Sequence, residues 1–264
     1  MSIFTKIVFA SLISGLLGLT GGIVLLFKHH WVRKFSLHLI SFAVGVLLAT
    51  AILDLLPEAV EFAEQMDAHP EDLFIGLLVG IVGFFSMERM IFKFHPHHHG
   101  DIDDLALTGQ SVHHHPAPTM LLIGDTIHNF IDGVLIAITF IANPGLGILT
   151  AVAVAAHELP QEFSDFSVML SHGWSRRRVL WANILSALAS VIGAILAFAL
   201  RDLIIPFLPQ LLSFTAGVFI YIAIADLIPE VTHESLRDKT LHVFALLLLG
   251  ILSVLVLGFY LEAH

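Results

Sequence analysis

Long apolar runs, scarce charge and one internal repeat predict an all-α integral membrane protein with eight transmembrane helices in this 264-residue chain. Hydrophobic residues make up 57% and charged residues 13%, against roughly 45–50% and 25% in soluble domains. A helical crossing needs about 20 apolar residues. Runs of that length fall at residues 3–27, 37–60, 73–92, 119–142, 147–170, 180–200, 211–231 and 241–260. They take up nearly the whole sequence, so residues 1–264 read as a single transmembrane domain. The repeat sets the arrangement. Residues 45–59 (GVLLATAILDLLPEA) and 217–231 (GVFIYIAIADLIPEV) pair Gly45 with Gly217, Asp54 with Asp226, Pro57 with Pro229 and Glu58 with Glu230 at one constant offset. The two segments lie five spans apart and so cross in opposite directions. An inverted repeat of spans one to three with spans six to eight follows, with spans four and five between them in a 3+2+3 plan.

The first run has Lys6 as its only early base and no small-residue cleavage site after it, so it reads as a span rather than a leader. The second and seventh each place Pro near their end, three residues after an acid, where a missing backbone donor loosens the helix. In the third, Gly76, Gly80 and Gly83 form a small-residue face suited to close helix contact, within one chain or between two. The fourth and fifth carry HNFID and HELPQE, the latter interrupted by Pro160. On the sixth, Asn183, Ser186 and Ser190 recur at helical spacing, as interhelical hydrogen bonding requires.

The connections set orientation. Lys28, Arg33, Lys34, Arg89, Lys93, Arg176, Arg177, Arg178, Arg237 and Lys239 fall at connections one, three, five and seven, while Lys6 and Arg201 fall on the other side. The positive-inside rule puts the odd connections in the cytoplasm and both termini outside. A compact chain without a leader fits a bacterial inner membrane. The second connection carries Glu58, Glu61, Glu64, Asp67, Glu71 and Asp72 and no base; it is an outer mouth that gathers cations, or simply a solvated loop. The third, residues 93–118, holds His95, His97, His98, His99, His113, His114 and His115 among acids and lacks apolar periodicity. It reads as a disordered cytoplasmic linker whose imidazoles bind zinc-like ions weakly. The net charge of −10 argues against a nucleic-acid partner.

Ionisable residues inside a bilayer are costly and mark function. Cysteine is absent, so a metal here must be held by imidazole, carboxylate, amide or water. Positions four apart share a helix face. His128 and Asp132 project together, with Asp125 a turn earlier and Asn129 rotated by about 100°. His157 and Gln161 form one stripe of the fifth span, and Glu158 and Glu162 the next. Facing helices would offer two rows, one of His128, Asp132, His157 and Gln161, the other of Asn129, Glu158 and Glu162. Two adjacent sites for a divalent cation are expected. Asp54, Asp125, Asp165, Asp226 and Glu230 either line the route to these sites or pair within the fold.

HNFIDG and HELPQE together resemble the paired signature of the ZIP metal transporters, most closely the branch whose fifth span reads H-E-x-P-H-E. Eight spans, outside termini and a His-rich third connection agree over nearly the full chain. The resemblance implies zinc uptake toward the cytoplasm, with iron, manganese or cadmium as other ions and no organic cofactor. It further implies a homodimer, and a binuclear centre of His128, Asn129, Asp132, His157, Glu158 and Gln161. A bundle of spans one, four, five and six is expected to move against the rest. Gln161 departs from the pattern, because that branch has His there; an amide is the weaker ligand, and ion choice shifts with it. Two rival readings fit less well. An intramembrane zinc protease needs H-E-x-x-H, which Gln161 breaks. A cation-diffusion exporter shares the His128-x-x-x-Asp132 spacing but has six spans and a soluble domain. Transport rather than enzymatic activity is the expectation.

Overall fold

The computed structural model describes residues 1–27, 29–93, 118–232 and 240–262, and every regular element among them is helical. The first span is Ile3–Phe27. The second runs His29–Ala49, passes through a π-helical segment Thr50–Leu55 and ends as Leu56–Gln65. The third, fourth, fifth and sixth are Pro70–Lys93, Pro118–Ala142, Pro144–Ser171 and Arg176–Ala199. The seventh runs Leu208–Tyr221, through a second π segment Ile222–Leu227, to Ile228–Thr232, and the eighth is Thr240–Glu262. Seven of these, all but the fifth, are long and apolar enough to cross a membrane. The fifth is long enough, but His157, Glu158, Gln161, Glu162 and Asp165 break its apolar run. His95, His97, His98, His99, His113, His114 and His115 lie outside the described residues.

The repeat is visible in the backbone. Thr50–Leu55 and Ile222–Leu227 stand at the same offset as Gly45 and Gly217, and each comes just before a proline, Pro57 or Pro229. Proline cannot donate to the carbonyl a turn behind it. A π turn is rare in any helix, so its occurrence in both copies marks the two segments as related. Pro160 acts more mildly, since the fifth helix continues past it to Ser171. That helix starts where Asn143 Oδ1 accepts from Gly145 N at 2.8 Å with Pro144 in the first turn. It ends at Gly173, whose φ of +81° suits a residue without Cβ.

Packing divides the spans into two bundles. The first and sixth each pack against both the fourth and the fifth, while the second pairs with the eighth and the third with the seventh. The second and fifth make the main contact between the bundles. Without a hydrophobic drive between helices in lipid, close approach at small residues holds such crossings together. A Cβ on Gly45 would lie 2.1 Å from the Leu247 carbonyl oxygen of the eighth span, and one on its repeat partner Gly217 2.3 Å from that of Leu77 in the third. In the other bundle, Gly133 of the fourth span would meet the Ser190 carbonyl oxygen at 1.8 Å. Gly76 and Gly80 contact the seventh span of the same chain, whereas Gly83 faces open space.

These crossings make a paired test. Gly133→Ala should destabilise the protein by about 1–3 kcal/mol through overpacking, read as a lower melting temperature in detergent. Gly83→Ala should leave that temperature unchanged.

Candidate metal centre

The fourth and fifth spans are antiparallel neighbours within one bundle, and their polar faces meet there. Asn129, Asp132, His157, Glu158 and Glu162 are each no more than 1% exposed. His128, with 12% of its side chain exposed, is the most open of the group.

One cluster joins His128, Asp132, His157 and Glu158, with one ligating atom from each and all within 4.8 Å of one another. His128 Nε2 lies 3.1 Å from His157 Nε2. Asp132 Oδ2 lies 3.3 Å from His157 Nε2 and 3.7 Å from His128 Nε2. Glu158 Oε1 lies 3.6 and 3.9 Å from the same two nitrogens. Four donors around a tetrahedral zinc stand about 3.3 Å apart, given metal–ligand bonds of roughly 2.0–2.1 Å. The cluster brackets that spacing. The backbone of its own helix orients His157, whose Nδ1 lies 3.1 Å from the Ala153 carbonyl oxygen. A proton on Nδ1 leaves the Nε2 lone pair toward the cluster, the outer-shell arrangement that orients metal-binding imidazoles. Phe84 packs edge-on against His128 at 5.4 Å between centroids, and Phe219 against His157 at 6.4 Å.

A second cluster joins Asp125, Glu158 and Glu162 under the same distance limit. Asn129 Nδ2 donates to Asp125 Oδ1 at 3.0 Å and to its carbonyl oxygen at 3.1 Å. Both oxygens of Asp132, with Asp125 Oδ2, Glu158 Oε1 and Glu162 Oε2, are buried and have no hydrogen-bond partner among the described residues. Buried polar atoms nearly always find partners, and unpaired carboxylates are costly. A divalent cation would satisfy several at once.

This grouping differs from the two rows read off the helix wheel. Glu158 stands in both clusters, because its side chain is long enough to cross the 100° step to the His157 stripe. Asp125, read as a route residue, joins the second cluster one turn from Asn129. Gln161 is half-buried, one turn beyond His157. Among the other route candidates Asp165 is buried, Asp54 and Asp226 are half-buried and Glu230 is exposed. On the sixth span, Ser186 Oγ lies 3.0 Å from Thr126 Oγ1, an interhelical bond, while Asn183 Nδ2 donates to the Val179 carbonyl at 2.8 Å in its own helix. Residue order alone did not point to Glu88, which accepts a hydrogen bond from Tyr221 of the seventh span. A lone acid beside Arg89 near a helix end gives little reason to single it out. Nor did it point to Phe84 and Phe219, which look like any other core aromatic.

Comparison with known proteins bears on the whole arrangement. The family model described as ZIP zinc transporter matches residues 4–119 and 108–258. "Zinc transporter ZIP10" of Danio rerio is 40% identical over 114 residues, which is 43% of this chain and 14% of that protein. "Zinc transporter ZIP13" of Pongo abelii is 28% identical over 242 residues, 85% of this chain and 67% of that protein. "Zinc transporter foi" of Drosophila melanogaster is 37% identical over 137 residues, 51% of this chain and 18% of that protein. The matches thus span from about a seventh to two thirds of these relatives. With the family model covering nearly its whole length, the chain belongs to the ZIP zinc transporter family.

Proposed function

We propose that this chain carries divalent metal ions across a membrane into the cytoplasm, with zinc the main cargo and iron, manganese and cadmium further ones. One observation supports this above the rest: four ligating atoms from two neighbouring spans converge within 4.8 Å. The zinc-transporter names of the relatives support the same cargo. The first ion site is His128, Asp132, His157 and Glu158. The second is Asp125, Glu158 and Glu162 with Asn129 alongside, so that Glu158 bridges a binuclear centre. Gln161 stands at its rim where a stronger imidazole ligand would sit in the matching branch. The mixed nitrogen and oxygen donors suit an ion that exchanges better than a closed thiolate cage would.

Transport proceeds by alternating access, in which the bundle of spans one, four, five and six shifts against that of spans two, three, seven and eight. The glycine-tight crossings within each bundle favour motion between bundles over motion inside them. Basic residues at the odd connections favour a cytoplasmic position for those loops and an outside position for the termini. The third and eighth spans, mostly unburied within the chain, offer surface to lipid and to a second copy in a homodimer. A protease reading gains nothing from the geometry, since Glu158 Oε1 approaches both imidazoles as a ligand would.

Zinc uptake into proteoliposomes tests the proposal. His157→Ala and Asp132→Ala should each lower uptake at least about tenfold, in line with the loss of a zinc ligand or its support. Deletion of residues 95–115 should leave most of it. Vesicles that take up no zinc would refute transport.

Acidification should have a definite sign. A protonated imidazole has no lone pair to give, so uptake should decline on acidification.

Calorimetric titration should separate the two sites. The wild-type chain should bind two zinc ions, Glu162→Gln should keep only the first, and Glu158→Gln should weaken both. A single class of binding unaffected by Glu162→Gln would refute the second site.

A further inference from the structure

Two registers meet at four residues. The repeat pairs Glu58 with Glu230, and these stand at opposite ends of the molecule because the copies are inverted. The fourth and fifth spans pair as well. Aligning His128 with His157 aligns Asn129 with Glu158, Asp132 with Gln161 and, at the two helix ends, Asn143 with His172. Packing agrees with this second register, since the fourth span lies on the sixth as the fifth lies on the first. The ends close alike: Asn143 N donates to the Thr139 carbonyl at 2.9 Å, and His172 N to the Val168 carbonyl at 3.2 Å.

At one end the paired residues touch. Asn143 Nδ2 donates to Glu58 Oε1 at 3.3 Å, linking the end of the fourth span to the turn that follows the π segment of the second. Asn143 Oδ1 is engaged by Gly145 N, which turns the amide NH₂ toward Glu58. The contact therefore joins one bundle to the other. At the opposite end its counterparts are His172, half-exposed, and Glu230, exposed. His172 Nδ1 lies 2.8 Å from the Val168 carbonyl oxygen, so Nε2 is the ring atom that would meet a carboxylate. The sequence register repeats: Asn143 and His172, each with a side-chain nitrogen, follow the ends of the fourth and fifth spans, and Glu58 and Glu230 each follow a repeated proline.

We propose that Asn143–Glu58 and His172–Glu230 are the two halves of one reciprocal latch. Each half clasps the two bundles together at one end of the molecule, and closing either requires the other to part. The proposal rests on the alternating-access reading, because a body that opens a path at one end must separate from its neighbour there. A hydrogen bond of this kind contributes about 0.5–1.5 kcal/mol. That is enough to bias two near-equal states and too little to lock either.

The chain has no cysteine, so introduced thiols stand alone. The full chain in liposomes would carry Asn143→Cys with Glu58→Cys, His172→Cys with Glu230→Cys, or all four. A short homobifunctional thiol reagent would join each pair, and peptide masses would report the links. Each pair should link by itself. In the four-cysteine chain, a molecule linked at one end should keep unreacted thiols at the other. Asn143→Asp, placed in the His172/Glu230 cysteine background, keeps the helix cap but sets a carboxylate against Glu58. It should raise the yield of the 172–230 link several-fold. Chains linked at both ends, no 172–230 link where the 58–143 link forms, or no response to Asn143→Asp would each overturn the latch. The links are read without transport, so absent zinc uptake would count against the cargo and leave this result standing.

Discussion

Everything in the structure turns on carboxylate oxygens kept from water without a donor to meet them. Asp132, Glu158, Asp125 and Glu162 crowd into the middle of the fold with five oxygens that have no hydrogen-bond partner among the described residues, and the imidazoles of His128 and His157 stand nearby. In a bilayer such a group is tolerated when it faces a protein interior and shares its charge. The surrounding helices are arranged accordingly. Glycines bring the fourth span hard against the sixth, Ala153 steadies His157, and Phe84 and Phe219 flank the rings. An ion of charge two is what we propose this polar interior receives.

The fold around it is two copies of one idea. Wide π turns ahead of Pro57 and Pro229 recur in the same register, and Gly45 and Gly217 make equivalent close contacts with different neighbours. The symmetry extends to the fourth and fifth helices, each laid on the first member of one repeat. That such a plan places every candidate ligand on one bundle, with Phe84 and Phe219 of the other packed against them, is consistent with a device whose parts shift past each other.

Much of this could be read from residue order. Apolar runs located the spans because lipid demands about 20 such residues per crossing, and D-L-x-P-E exposed the repeat because its members are too specialised to recur idly. The pairing of HNFID with HELPQE was legible for the same reason. Three things were not. Helix-wheel reasoning gives each position one direction, so it put Glu158 in a single row, although a flexible two-carbon arm serves both. It undervalued Asp125, whose neighbour Asn129 draws it into the second cluster. It also missed Glu88 and the flanking rings, because aromatic packing around an imidazole leaves no pattern along the chain.

Glu158 belonging to both clusters has a kinetic consequence. When one carboxylate serves two ions, the arrival of the second divides the attraction holding the first, and like charges a few ångströms apart repel. Strong capture from dilute solution and prompt departure are then compatible within one centre. In a binuclear centre of the proposed kind each newcomer would help to evict its predecessor, much as queued ions displace one another in a narrow pore.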